Sequence, residues 1–344
     1  MGELTYRQAI AAAISQEMDR DPMVVLIGED VGAAGGVFKL TEGLFDKYGP
    51  ERVRDTPISE QAIVGAAMGA AMTGLRPVAE LMFSDFFAVT WDMVVNQIAK
   101  TRYMTDGQVS LPLVLRTANG AGLRFGAQHS QSIENWAMAI PGLKIVAPST
   151  PADMVGLMAA AIRDPDPVIV CEHKALFADK ADVPDGELVD TLGTARVVRP
   201  GKDATIVALA AMVPKAVAAA EQLATEHGVD AEVIDLRSIR PLDEDTILES
   251  VKKTGHLIVT DTSWELCGIA SEVAALVAEK AFPYLKGPVR RIALPNCPAP
   301  VSFKLEEVFY PKASTIAKAA LVTLGADPDR VGDLAREDNF KGPY

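Results

Sequence analysis

Residues 54–82 read RDTPISEQAIVGAAMGAAMTGLRPVAELM. A proline, a cap-type serine and Glu60 lead into a helix built almost entirely of Ala, Gly and Met, and an apolar strand, RPVAELM (76–82), follows it. The same alternation extends in both directions. MVVLIGED (23–30), LPLVLRTAN (111–119), LKIVAPS (143–149) and PVIVCEH (167–173) read as buried strands, with Ala-rich or amphipathic helical segments between them. That pattern predicts a parallel sheet with helices on both faces. From about residue 177 the pattern lapses into a polar, Pro- and Gly-bearing stretch. A second series then begins: ATIVALA, a helix over 214–227, AEVIDLRSI, a helix opened by Asp243, HLIVTDTS, a helix over 269–282, and PVRRIAL. The expected fold class is α/β, two doubly wound domains. One covers 1–180, a linker covers 181–202, the second domain covers 203–325, and a charged tail, 326–344, is expected to be mobile or laid on another chain.

At 344 residues and 49% hydrophobic, the chain has enough apolar material for two cores. No stretch approaches the roughly 20 apolar residues that a membrane helix requires, and MGELTYRQAI lacks the series of a signal peptide, so the expectation is a cytoplasmic protein with no membrane role. The three cysteines, Cys171, Cys267 and Cys297, lie far apart without a C-x-x-C pair and read as reduced thiols. A net charge of −13 argues against a nucleic-acid surface, which needs clustered Lys and Arg.

Glu60 is the first chemical candidate. With Ser59 or Asp55 as cap, an acid in a helix's first turn is worth about 0.3 to 1 kcal/mol against the dipole and needs no further purpose. The helix behind it, however, carries Gly65, Gly69 and several alanines, and each interior Gly costs about 1 kcal/mol against Ala. Such a helix suits close approach by another backbone or a flat ligand. His129, in GAGLRFGAQHSQSIENW (120–136), follows a strand through a Gly-rich loop, where a side chain with near-neutral pKa is reachable for acid–base work. His173 is a weaker candidate. Asp85, Phe86 and Phe87 after RPVAELMFS form either an aromatic wall or core. Dinucleotide, P-loop, nucleophile-elbow and H-E-x-x-H motifs are absent, as is G-D-G followed by Asn, so a phosphorylated cofactor would need another chain to hold its phosphates.

GEDVG (28–32), the run from Tyr48 to Glu80, GAQHSQS (126–132), IPGLKIVAPSTPAD (140–153) and DPDPVIVCEHK (164–174) together resemble the β subunit of the thiamine-diphosphate-dependent dehydrogenase component of 2-oxoacid and acetoin dehydrogenase complexes. The resemblance runs from about Leu4 to Leu324. It implies a transketolase-like pyrimidine-binding domain followed by a transketolase C-terminal-like domain. It implies two α and two β chains, with thiamine diphosphate shared between them and Mg2+ held by the α chain's G-D-G half. Glu60 would hydrogen-bond N1′ of the aminopyrimidine, favouring its imino tautomer. Ile58, Met82 and Phe86 would surround that ring, and His129 would face the reactive end. A potassium site would map to Leu113, Ala161, Ile162, Asp164 and Asp166, the last standing where relatives have Asn.

The implied reaction cleaves acetoin or decarboxylates a 2-oxoacid (pyruvate or branched-chain) and passes the acyl group to a lipoyl arm of an acyltransferase core. Acetoin is preferred, from GAGLRFGAQHSQS, VIVCEHK and FSDFF. Two alternatives stand beside it. A split transketolase subunit would need more basic residues for sugar phosphates than Arg124 supplies, and a non-catalytic assembly subunit would have no physical reason to keep both Glu60 and His129.

Overall fold

The structure is a computed structural model that describes residues 1–120 and 122–332. The chain divides into two compact units, residues 1–119 with 136–192, and residues 120–135 with 193–332.

In the first unit the strands are β1 (Gly2–Thr5), β2 (Val24–Gly28), β3 (Val53–Asp55), β4 (Arg76–Phe83), β5 (Val114–Asn119), β6 (Lys144–Val146), β7 (Val168–His173) and β8 (Lys180–Val183). Six of them lie in the order β6-β7-β5-β4-β2-β3, every neighbouring pair parallel. β5 and β7 are buried at every position, as expected of central strands in a sheet covered on both sides, and they carry the polar residues Arg116, Thr117, Asn119, Glu172 and His173 into the interior. The helix Tyr6–Arg20 opens with a Thr5/Gln8 capping box, and the helix Pro151–Arg163 with Thr150 as cap and Pro151 in its first turn. These two helices pack together, and fully buried Glu17 joins them by accepting from Arg20 (2.7 Å) and Arg163 (2.8 and 2.9 Å).

The second unit holds β9 (Arg196–Arg199), β10 (Ala204–Ala208), β11 (Ala231–Asp235), β12 (Ser238–Arg240), β13 (Leu257–Trp264) and β14 (Arg290–Leu294). Its sheet runs β14-β13-β10-β11-β9, parallel except for the antiparallel edge strand β9. The helices Met212–His227 and Ala313–Thr323 bury their alanine faces on it. Asp243 caps the helix Glu244–Thr254 as expected, its side chain accepting from Thr246 N–H.

Both expected sheets are therefore present. Three features depart from the sequence reading. β3 was not anticipated, since two of its three residues are exposed and give no hydrophobic signal. The polar stretch after 177 contains β8, paired antiparallel with β1, and β9. The start of the tail is docked: Val331 is 4% exposed on the helix-lined core and Gln222 donates to the Gly332 carbonyl. Residues 333–344, the rest of that tail, lie outside the described residues.

Candidate active site

In the first unit the chain goes from β2 to β3 on one side and then crosses back to β4 on the other, so strand order reverses at β2. In an open parallel sheet the crevice beyond the carboxyl ends at such a reversal is where ligands bind. Three segments end there: Glu29 after β2, Thr56 to Glu60 after β3, and Ser84 to Phe86 after β4.

Glu60 is the first residue of the helix Glu60–Met72 and is half-buried. The expected cap is not made. Ser59 occupies the cap position without a side-chain hydrogen bond, and the Asp55 carboxylate instead accepts Gly32 N–H at 2.6 Å, tying the loop after β2 to the end of β3. Glu29, half-buried, joins Glu60. Burial, and then the charges of Glu60 and Asp30, hold the Glu29 carboxyl above the ordinary glutamate range. Its Oε1 and the Thr56 hydroxyl are buried with no hydrogen-bond partner. Orphaned polar atoms next to an acid at a switch point are what a polar ligand site presents.

Ile58 stands 83% exposed just ahead of Glu60. Met82 falls at the register shift between Leu81 and Phe83, a bulge that re-aims the end of β4. Phe86, half-buried, meets Phe83 edge to face at 5.5 Å; Phe83 in turn meets Phe38 at 5.5 Å and lies under the Lys174 ammonium. Beneath the crevice Arg116, fully buried, binds Glu172 through two 2.7 Å hydrogen bonds and Glu80 through a third. A Cβ on Gly28 would come within 2.9 Å of the Glu80 Cβ, so this ionic seam sits directly against the strand end that presents Glu29. The helix after Glu60 leaves Ala62, Ala66 and Gly69 exposed, a flat face without bulk.

His129 belongs to the second unit. The half-buried imidazole rides on a loop whose far end is tied to β13, Ser132 Oγ lying 3.3 Å from Thr262 Oγ1. A shallow recess beside it is lined by Ser130, Ser132, Thr262, Trp264 and Phe309. His173 is buried in the first unit, with Nδ1 accepting from Ala175 N–H.

The residues mapped to potassium surround the turn after the helix Pro151–Arg163. The carbonyls of Leu113, Ala161 and Ile162 accept from Val168, Asp164 and Arg76 at 3.0, 3.3 and 2.9 Å, and each oxygen retains a second lone pair. The carboxylates are committed: Asp164 takes Lys144 at 2.7 and 2.8 Å, and Asp166 takes Lys144 at 3.3 Å and Arg102. Two of these carbonyls, Ala161 and Ile162, lie at a helix carboxyl end, where the dipole favours a cation. Among the described residues no group of three or more His, Cys, Asp or Glu is arranged to hold a metal.

Residues 2–180 match the family described as transketolase, pyrimidine binding domain, and residues 193–316 match transketolase, C-terminal domain. The acetoin:2,6-dichlorophenolindophenol oxidoreductase subunit beta of Cupriavidus necator is 48% identical over 94% of this chain and 98% of its own length. The chain belongs to the β subunits of thiamine-diphosphate-dependent dehydrogenases. Two further relatives are the corresponding acetoin subunit of Bacillus subtilis, 46% identical over 94% of this chain and 97% of its own, and the mitochondrial pyruvate dehydrogenase E1 component subunit beta-2 of Oryza sativa subsp. japonica, 46% identical over 92% and 85%. A solved structure titled split gene transketolase, inactive beta4 tetramer, shares the fold with a TM-score of 0.78 at 24% identity, covering 94% of this chain and 99% of that one.

Within this β subunit, then, the switch-point crevice brings Ile58, Glu60, Met82 and Phe86 to one sheet edge in the pyrimidine-binding unit. Glu29 joins them and was missed by sequence reasoning. Its signal was an acid placed directly after a buried strand, in GEDVG. Arg116 and Lys174, both fully buried, were missed as well; the signal for Arg116 was a cation inside LPLVLRTAN, a run read as a buried strand. Among the described residues no helix is long and apolar enough to cross a membrane.

Proposed function

We propose that this β subunit acts together with an α chain to cleave acetoin, or to decarboxylate a 2-oxoacid, and to pass the resulting acyl group to a lipoyl arm of an acyltransferase core. The observation that carries this reading is the acidic crevice at the β2/β4 switch point, where Glu60 opens a helix beside Glu29 and orphaned buried polar atoms. Thiamine diphosphate, when bound, supplies the electron sink that lets a bond next to a carbonyl break.

The residues of this chain hold and orient. Glu60 holds a proton at N1′ of the aminopyrimidine, a hydrogen bond that is strong in a site from which water is excluded. Ile58, Met82 and Phe86 wall the ring, Phe86 braced edge-on by Phe83. His129 gives and takes the proton at the substrate and positions the group for transfer. No residue of this chain supplies the G-D-G signature, so the α chain holds the diphosphate and Mg2+, and the flat face of Ala62, Ala66 and Gly69 suits close packing against a partner chain. Carbonyls at Leu113, Ala161 and Ile162 hold a monovalent cation, the Asp164 and Asp166 carboxylates being taken by Lys144 and Arg102.

Acetoin is the substrate assigned, the names of two relatives at 48% and 46% identity supporting it. Co-purification with a G-D-G-bearing α chain, followed by turnover of acetoin, pyruvate and branched 2-oxoacids with an artificial electron acceptor and then with lipoyl domain, tests it. Turnover of pyruvate but not acetoin would reassign the substrate, and turnover of none would remove the catalytic reading.

A further inference from the structure

The loop that carries His129 is held on its amino-terminal side by features that the proposed chemistry does not use. Arg124, a residue with a Cβ, sits in the left-handed region at φ 60°, a conformation that persists only where surroundings impose it. Two contacts impose it. Its backbone N–H donates to Glu306 Oε1 at 2.9 Å, and its guanidinium lies 5.5 Å from the centre of the Phe303 ring. Two residues on, Gly126 is also left-handed at φ 73°, and a Cβ there would meet Val301 at 2.9 Å, so the loop lies flat on the approach to the helix Phe303–Phe309. Glu306 is only 8% exposed, and its burial raises its carboxyl above the ordinary range. The Tyr310 hydroxyl is buried nearby. On the other side of His129, Gly120 N–H donates to the Gln131 carbonyl and Ser132 lies on Thr262. Ala127 and Gln128, between the two anchors, are exposed.

We propose that the helix Phe303–Phe309 is a latch for this loop and that Glu306 is a positioning residue: by holding the Arg124 N–H it fixes the segment from which His129 is presented. A backbone N–H gripped by a buried carboxylate sets the course of the chain, whereas the Arg124 side chain stays at the surface, where its bond to Phe125 is reachable only when the latch opens. The inference rests on the role given to His129, but the latch itself can be read without any turnover.

The test is native limited trypsinolysis of the full-length chain, with mass spectrometry following cleavage of the Arg124–Phe125 bond. Glu306→Ala should accelerate that cleavage about 10- to 100-fold, the change in opening expected when a hydrogen bond to a charged group is lost, while other sites and the thermal midpoint stay put. Glu306→Gln, which keeps a carbonyl acceptor, should restore protection. In the enzyme assembled with its α chain, Glu306→Ala should lower kcat more than it changes KM, with rescue by Gln. Unchanged protection in a folded Glu306→Ala chain, or equal loss in the Gln variant, overturns the latch. Should the Ala variant fail to fold, Phe303→Ala, at a half-exposed ring, must expose the same bond or the latch is likewise refuted. Lost protection with unchanged kcat would overturn the positioning of His129. A wild type inactive on every substrate would refute the proposed function and leave the proteolysis result standing.

Discussion

Arg116→Met is the perturbation whose size follows most directly from the structure. Arg116 is fully buried and neutralises Glu172, also fully buried, and Glu80, 7% exposed. Met keeps much of the length and removes the charge, leaving two carboxylates in a low-dielectric interior. Removing one partner of a buried ion pair costs about 3 to 5 kcal/mol. For a unit of this size that lowers the melting temperature by roughly 6 to 20 °C. The pH dependence follows from Glu172. Burial raises its carboxyl above the ordinary glutamate range and Arg116 opposes the rise, so without Arg116 it climbs further. A carboxyl whose folded pKa lies above its unfolded one contributes stability that is fully present below the unfolded value and lost as pH rises through the folded value. The deficit of Arg116→Met should therefore be largest near neutrality and shrink as pH falls toward 4.5. Urea unfolding followed by near-ultraviolet circular dichroism of the Trp91–Trp136 pair, rings 6.1 Å apart in the first unit, reads the right part of the chain. A loss below about 1 kcal/mol, the ordinary effect of a point mutation, or a gap that widens on acidification, would refute the reasoning.

Other expectations follow from the same geometry. Glu29→Gln removes a carboxyl that burial and the Glu60 and Asp30 charges raise, so the variant should be more stable than wild type at pH 7, with the difference fading below 4.5; a less stable variant at pH 7 would contradict this. Gly28→Ala forces a Cβ to 2.9 Å from Glu80 and Val31 and should cost roughly 1 to 3 kcal/mol, checked by thermal melting. Glu60→Gln should lower turnover about 100- to 10,000-fold, the range for a lost acid–base contact, with the unfolding curve unchanged; near-normal turnover would remove Glu60 from its role. For His129→Ala, acylation of the lipoyl domain should fall more than the first chemical step, measured by single-turnover transfer.

What the sequence made legible is what burial writes into it. β4, β5 and β7 could be read because both faces are covered and apolar residues dominate the segments in which they lie. β9 and the β1–β8 pair are exposed and joined across large sequence separations, so no local pattern marks them. The helix after Glu60 was legible in composition, but the use of Asp55 was not: as a cap it satisfies helix N–H groups, and in the fold it satisfies Gly32, more than twenty residues earlier. Glu29 was printed in GEDVG, yet the elevation of its carboxyl comes from burial and from Glu60, which a linear reading does not join to it. The anchoring of Arg124 by Glu306 spans 182 residues and belongs to the same class of long-range facts.

The central claim is that the cofactor site needs two chains. Titrating thiamine diphosphate with Mg2+ by calorimetry into this β subunit alone, and then into its mixture with an α chain carrying G-D-G, tests it directly. The account predicts no heat of binding to the single chain and stoichiometric binding to the mixture. Tight binding by this chain alone would contradict it.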